Sequence, residues 1–222
     1  PTCITVDDNQ NSYVVYKFYG TYLTDGIDTT FYSGNSISSV LVKYDRNGIV
    51  DWRRETTGPI QSSWAYDVCI DSKNNVCVVG GYIGSYIVLN QDTVYANTSS
   101  TWEMYVAKYD SLGNVLQSRG FWTDNVCMGN GIALDSADNM FITGLFMGNV
   151  DFDTWTYPGS NGITSAYCMS LDTALDVRWV LFLTNSINDL IGHSVCVNRN
   201  ARVNFMFGLS GCQNAPLTIG SD

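Results

Sequence analysis

The chain of 222 residues has one histidine (His193), four prolines and 11 Lys and Arg residues against 21 Asp and Glu. Each scarcity excludes something. The basic side chains are scattered, and Arg53 and Arg54 are the only adjacent pair. A nucleic-acid surface needs a clustered basic face, so at a net charge of −10 no nucleic-acid partner is expected. An anionic membrane surface is disfavoured for the same reason. No apolar run reaches the roughly 18 residues of a bilayer span, so no membrane insertion is expected. The seven cysteines, Cys3, Cys69, Cys77, Cys127, Cys168, Cys196 and Cys212, include no CxxC pair. That removes the usual zinc and thioredoxin-like motifs. Several lie in alternating apolar runs, where a free thiol acts as a small hydrophobe. This favours a virion or cytoplasmic setting over a secreted one, although Cys69 and Cys77 flank a short turn and can face each other across a hairpin. The chain starts at Pro1 without a signal-like stretch, and the expectation is a fragment, a processed product or part of a larger propeller.

What is present is a repeat. Residues 6–20 (VDDNQNSYVVYKFYG), 70–84 (IDSKNNVCVVGGYIG), 134–148 (LDSADNMFITGLFMG) and 197–211 (VNRNARVNFMFGLSG) align without gaps, about 64 residues apart. Three share an opening acid (Asp7, Asp71, Asp135) that is Asn198 in the fourth, and all four end in glycine: Gly20, Gly84, Gly148 and Gly211. A second block follows the first three: residues 41–52 (LVKYDRNGIVDW), 106–117 (VAKYDSLGNVLQ) and 168–179 (CMSLDTALDVRW). It carries Asp45, Asp110 and Asp172, with Trp52 and Trp179 as closing aromatics.

Each block reads as a β-hairpin. The leading Asp accepts bonds from backbone N–H groups two or more residues on. Asn11, Asn75 and Asn139 tolerate the left-handed backbone that such loops often need, and are the residues expected to supply it. Gly48 and Gly113 supply it in the second block, and Leu175 in the third copy predicts a different turn there. Strands are expected near 3–7, 12–19, 39–44 and 49–54, with matching sets later and almost no helix. Two hairpins per unit make four antiparallel strands, the content of one propeller blade. The expected fold is all-β, a single propeller or propeller fragment over 1–222. Its units are 3–66, 67–130, 131–193 and an incomplete 194–222, about three and a half blades. The linkers 21–40, 85–105 and 149–167 vary and are where binding specificity is expected.

These two blocks resemble the SBBP-type repeats of seven-bladed β-propellers. Asp71, Asn75 and Gly80 match that family's first hairpin, and Lys108, Tyr109, Asp110 and Gly113 match its second. The resemblance implies a propeller fold and a surface or scaffold role, frequent in bacterial extracellular proteins and also met in large DNA viruses of amoebae. It brings no catalytic residues. Abundant Cys, Asn, Tyr and Met depart from the bacterial pattern and fit a viral or eukaryotic cytosolic protein.

The candidate chemistry is sparse. His193 aligns with Tyr66 and Asn130 just before a strand and reads as a polar loop or interblade residue. Asp151 and Asp153 alternate on one strand face and could seed a calcium site, but no ligand-rich loop surrounds them. Asp7 and Asp8 read as turn residues. Asn97, Thr98 and Ser99 form a glycosylation sequon. Trp64, Trp102, Trp122 and Trp155 lie outside the closing aromatic position. They fill wedges between blades or, when exposed, stack on sugars or anchor a partner.

No catalytic, metal or cofactor site is assigned. The leading expectation is a non-enzymatic, acidic scaffold that presents loops for protein–protein interaction or self-assembly, as in a virion. The alternatives are a lectin-like propeller binding glycan and, last, a hydrolase or lyase sited in the channel. Three and a half blades leave two open faces, to be covered by more chain, an assembly, or a second copy.

Overall fold

A computed structural model describes residues 1–19, 22–24, 29–31, 37–159, 162–184, 188–200, 202–209 and 218–220. The fold is all-β, with no helix among these residues. The first unit holds β1 (Cys3–Val6), β2 (Ser12–Tyr19), β3 (Tyr22–Thr24), β4 (Thr29–Phe31), β5 (Ile37–Tyr44) and β6 (Val50–Thr57). The second holds β7 (Ile60–Ile70), β8 (Val76–Gly84), β9 (Tyr86–Leu89), β10 (Asp92–Tyr95), β11 (Trp102–Tyr109) and β12 (Val115–Thr123). The third holds β13 (Val126–Leu134), β14 (Met140–Met147), β15 (Val150–Phe152), β16 (Trp155–Tyr157), β17 (Ser165–Leu171) and β18 (Val177–Thr184). β19 (Leu190–Val197), β20 (Val203–Leu209) and β21 (Thr218–Gly220) follow.

Within each full unit four strands pair antiparallel in chain order: β1–β2–β5–β6, β7–β8–β11–β12 and β13–β14–β17–β18. β19 and β20 form one further hairpin. The second-to-third connection, read from sequence as a loop, folds in each unit into a small hairpin: β3–β4, β9–β10 and β15–β16. The closing strand of one unit then pairs with the next unit's insert, β6 with β9 and β12 with β15, and β18 pairs with β21. These edge pairings join seventeen strands into one nearly closed sheet.

The apolar pattern explains the stacking. β8, β11, β14 and β17 are buried on nearly every residue, hence on both faces, whereas β12 and β18 are largely half-buried or exposed. The cores therefore lie between units. One gathers Tyr13, Val15 and Leu41 of the first unit with Val68, Val78, Tyr82 and Tyr105 of the second. Another joins Val79, Met104, Val106 and Phe121 of the second to Ile132, Ile142, Phe146 and Phe152 of the third. A unit alone has nothing against which to bury these faces.

Strands fall where the sequence pattern places them, but they run further. β7 begins at Ile60, and the unit limits drawn at 66/67, 130/131 and 193/194 lie inside β7, β13 and β19. His193, expected just before a strand, sits within β19. Two turn expectations are corrected. The left-handed residue is the one before the recurring Asn: Gln10, Asn74 and Asp138 hold φ between 61° and 66°, and Asn11, Asn75 and Asn139 do not. Leu175 (φ 66°) adopts the same turn as Gly48 and Gly113, because its side chain is buried in the core between the second and third units.

Candidate functional site

The recurring aspartates build turns. Asp71 Oδ1 accepts from the N–H groups of Lys73 (2.9 Å) and Asn75 (2.8 Å), and its Oδ2 accepts from Asn75 Nδ2 (2.8 Å). Asp7 does the same with Asn9 and Asn11, Asp110 with Leu112 and Asn114, and Asp135 with Ala137 and Asn139. Asp45 and Asp172 cap the equivalent N–H groups, and Asn198 does so with its amide oxygen. Because the four strands alternate in direction, all these turns lie at one end of the molecule and the insert hairpins at the other.

Residues of the same type stitch unit to unit. Ser72 Oγ donates to Asp138 Oδ2 at 2.6 Å in the next unit's turn, and the Asp8 N–H donates to Asn74 Oδ1 at 3.5 Å. Arg54 Nε donates to the Gly113 carbonyl (2.6 Å), and Arg119 donates to the Leu175 carbonyl (2.7 Å) and to Asp153. Trp52 donates from Nε1 to the Ser111 carbonyl (3.0 Å). Trp179 instead packs its ring on Phe141 and Phe205. Lys108 pairs with Asp71 at 2.7 Å, both nearly buried. Burial works against that Lys108 charge, and the Asp71 carboxylate outweighs it and raises the ammonium above its ordinary value. In the third unit the lysine is replaced by Ser170, whose buried Oγ has no hydrogen-bond partner among the described residues.

Tyr66, Asn130 and His193 all occupy β-bulges, at the register shifts Ala65/Asp67, Gly129/Gly131 and Gly192/Ser194. Asn130 Nδ2 donates to the Gly192 carbonyl at 2.9 Å, across units, and Thr2 donates from its hydroxyl to the Ala65 carbonyl at 2.9 Å in the same manner. A Cβ at Gly80 or Gly144 would overlap the Trp64 or Met128 carbonyl oxygen opposite, which is why glycine stands beside each bulge. His193 is exposed, with its ring over Gly208. Of the four repeat-ending glycines, Gly84 (φ 154°) and Gly148 (φ 79°) have positive φ, while Gly20 and Gly211 lie outside the described residues.

Asp151 and Asp153 do not converge: Asp153 takes a left-handed turn and pairs with Arg119, whereas Asp151 faces a cavity. Among the described residues no three His, Cys, Asp or Glu side chains are grouped as a metal would require. The described cysteines are free, and Cys69 and Cys77 sit directly opposite on β7 and β8; Cys212 lies outside the described residues. Burial pushes the Cys168 thiol up to about 12 and Cys127 well above its ordinary value, which disfavours the thiolate form of both.

The tryptophans divide. Trp64 packs on Trp102 at 4.7 Å with Lys17 over its ring, and Trp155 packs against the core between the second and third units. Trp122 is 48% exposed. It lines a cavity of about 390 Å³ at the insert end, between the loop after β10 and the β15–β16 hairpin. Asn97, Asp151, Thr156 and Tyr157 also line it, with Thr123, Asp124 and Asn149. Asn149 donates to both Asp124 oxygens, from N (2.7 Å) and Nδ2 (2.6 Å). Beneath the loop lies Glu103, fully buried, accepting from Thr123 N (3.1 Å) and from the Thr101 hydroxyl (3.3 Å). Burial raises this carboxyl to about 7 against the pull of its N–H donors. Nothing in the repeat pattern marked Glu103 or the cavity. The only available signal was that a carboxylate stands where the other units have Ser38 and Ser165, and a tryptophan where they have Thr57 and Thr184.

No protein-family model matches the chain, and comparison with curated proteins finds no match.

Proposed function

We propose that the chain is a set of four-stranded β-propeller blades of the SBBP-repeat type, about three and a half in number. In this reading it is a non-enzymatic scaffold that presents its insert hairpins to protein partners or to further copies in an assembly such as a virus particle. One observation carries this: the recurring polar side chains are used in construction. Asp7, Asp71, Asp110 and Asp135 cap turns, and Arg54, Arg119, Asn130 and Ser72 tie one unit to the next. The differences between units collect instead at the opposite end, in β9–β10, β15–β16 and the loop of Asn97. A rigid repeat with variable segments at one end is the usual design of a binding surface. The test is site-specific photo-crosslinking in the native setting. A photoreactive side chain at Tyr95, exposed at the insert end, is expected to capture a protein partner or a second copy, and one at Leu112, exposed at the turn end, is not. Crosslinks confined to Leu112 overturn the reading.

A further inference from the structure

We propose that the cavity between the second and third units is a binding site for a neutral sugar, with Trp122 as the surface on which a pyranose ring lies. This goes beyond the scaffold reading, which stands whether or not the cavity is occupied.

The volume of about 390 Å³ falls in the range of small-ligand sites. A pyranose offers a flat face of C–H groups and a rim of hydroxyls. It calls for an apolar plate beside groups that both accept and donate. Trp122 provides the plate, and a tryptophan there is not a feature of the repeat, since Thr57 and Thr184 occupy the equivalent positions. Asn97, Asp151 and Thr156 line the same space, and their side chains make no hydrogen bond among the described residues. An amide, a carboxylate and a hydroxyl are thus free to meet sugar hydroxyls.

The walls are held in advance. Asn149 is locked on Asp124 by two bonds, Thr123 donates from its hydroxyl to the Asn149 carbonyl at 3.0 Å, and Glu103 holds Thr101 and Thr123 from below. A site braced this way loses little freedom on binding. The charge pattern narrows the ligand. The lining includes two carboxylates and no Lys, Arg or His, which disfavours phosphates and acidic sugars. The lining's second aromatic, Tyr157, packs its ring on Phe146 and Phe182, so Trp122 is the open plate and the two do not make the multi-sided cage that holds quaternary ammonium. Both Asp124 oxygens are engaged by Asn149, so this carboxylate braces the site.

The test is saturation-transfer NMR on the intact chain with the methyl glycosides of glucose, galactose, mannose and N-acetylglucosamine, and with choline and inorganic phosphate as separate probes. At least one glycoside is expected to bind saturably. Trp122→Thr, which installs the residue of the equivalent positions, should weaken that binding about tenfold or more without moving the unfolding midpoint. Asp151→Ala should weaken it as well, and Leu112→Ala, at the far end, should leave it unchanged. Absence of glycoside binding, binding that survives Trp122→Thr, or binding of choline or phosphate in place of sugar overturns the proposal. None of these outcomes bears on the crosslinks at Tyr95.

Discussion

Leu175 holds φ at 66° where its counterparts are Gly48 and Gly113 at 79°. A side chain in this region costs about 1–2 kcal/mol. Leu175 is also 2% exposed, and burying a leucine returns about 2 kcal/mol or more, so burial outweighs strain. Leu175→Gly is therefore expected to destabilise the protein by about 1–3 kcal/mol. Gln10→Gly, at an exposed residue with φ 66°, should stabilise it by about 1 kcal/mol. Urea unfolding of both variants checks this, and a stabilised Leu175→Gly would show that strain dominates. The aspartates of these turns were legible in the sequence because an Asx-turn is local. The left-handed position was not, since Asn suits that backbone and also donates from Nδ2 to the aspartate. Only the turn's hydrogen bonds, such as Asn74 N to the Asp71 carbonyl (3.0 Å), fix which residue turns over.

At the scale of the hairpin, equivalent aspartates carry unequal loads. Asn198 closes its turn without a carboxylate, so Asp135→Asn should cost only about 1 kcal/mol. Asp71→Asn leaves Lys108 buried without its counter-charge and should cost about 3 kcal/mol or more. Equal losses in the two variants, measured by denaturant unfolding, would mean that the Lys108 pair contributes nothing beyond the turn.

The same elements set opposite pH limbs. For Asp7, Asp71, Asp110 and Asp135, burial acts upward but is outweighed by the asparagine amides and backbone N–H groups, and by Lys108 at Asp71, so each carboxyl lies below its ordinary 3.8. Their contribution is present above 3.8 and is lost as pH falls through the lowered values. Glu103 is raised by burial from 4.5 to about 7. The folded state then binds a proton that the unfolded chain has released, and stability falls as pH rises from 4.5 through about 7. Melting temperature against pH should peak near the lower end of that window, and Glu103→Gln should flatten the neutral limb. An unchanged neutral limb in that variant would assign the effect to other groups.

At the scale of the whole molecule, each unit buries what its neighbour offers. Val68, Ile132 and Val195 are 4%, 4% and 6% exposed, while the equivalent Ile4 is 60% exposed. Val15, Val79 and Thr143 are each fully buried, and the equivalent Met206 is 59% exposed. The polypeptide 1–222 is accordingly expected to bind a hydrophobic dye and to self-associate, measured by fluorescence and by mass in solution. Ile4→Thr with Met206→Thr should lower both signals without lowering the melting temperature, since neither side chain is packed. A monodisperse monomer with little dye binding would show that these two faces are not adhesive.

The sequence by itself determined the all-β class, the period, the turn aspartates and the strand positions, because apolar alternation and the Asx-turn are local patterns and their recurrence can be read along the chain. The inserts were read as loops because strands of three or four residues, such as β9 and β15, carry too few positions to show alternation; their order comes from pairing with β6 and β12 of the preceding unit. Tertiary structure alone decided the stitches of Ser72, Arg54 and Arg119, the burial of Glu103 and the cavity at Trp122. Each of these joins residues of different units or segments, and only the stacking that buries the apolar strands brings them together.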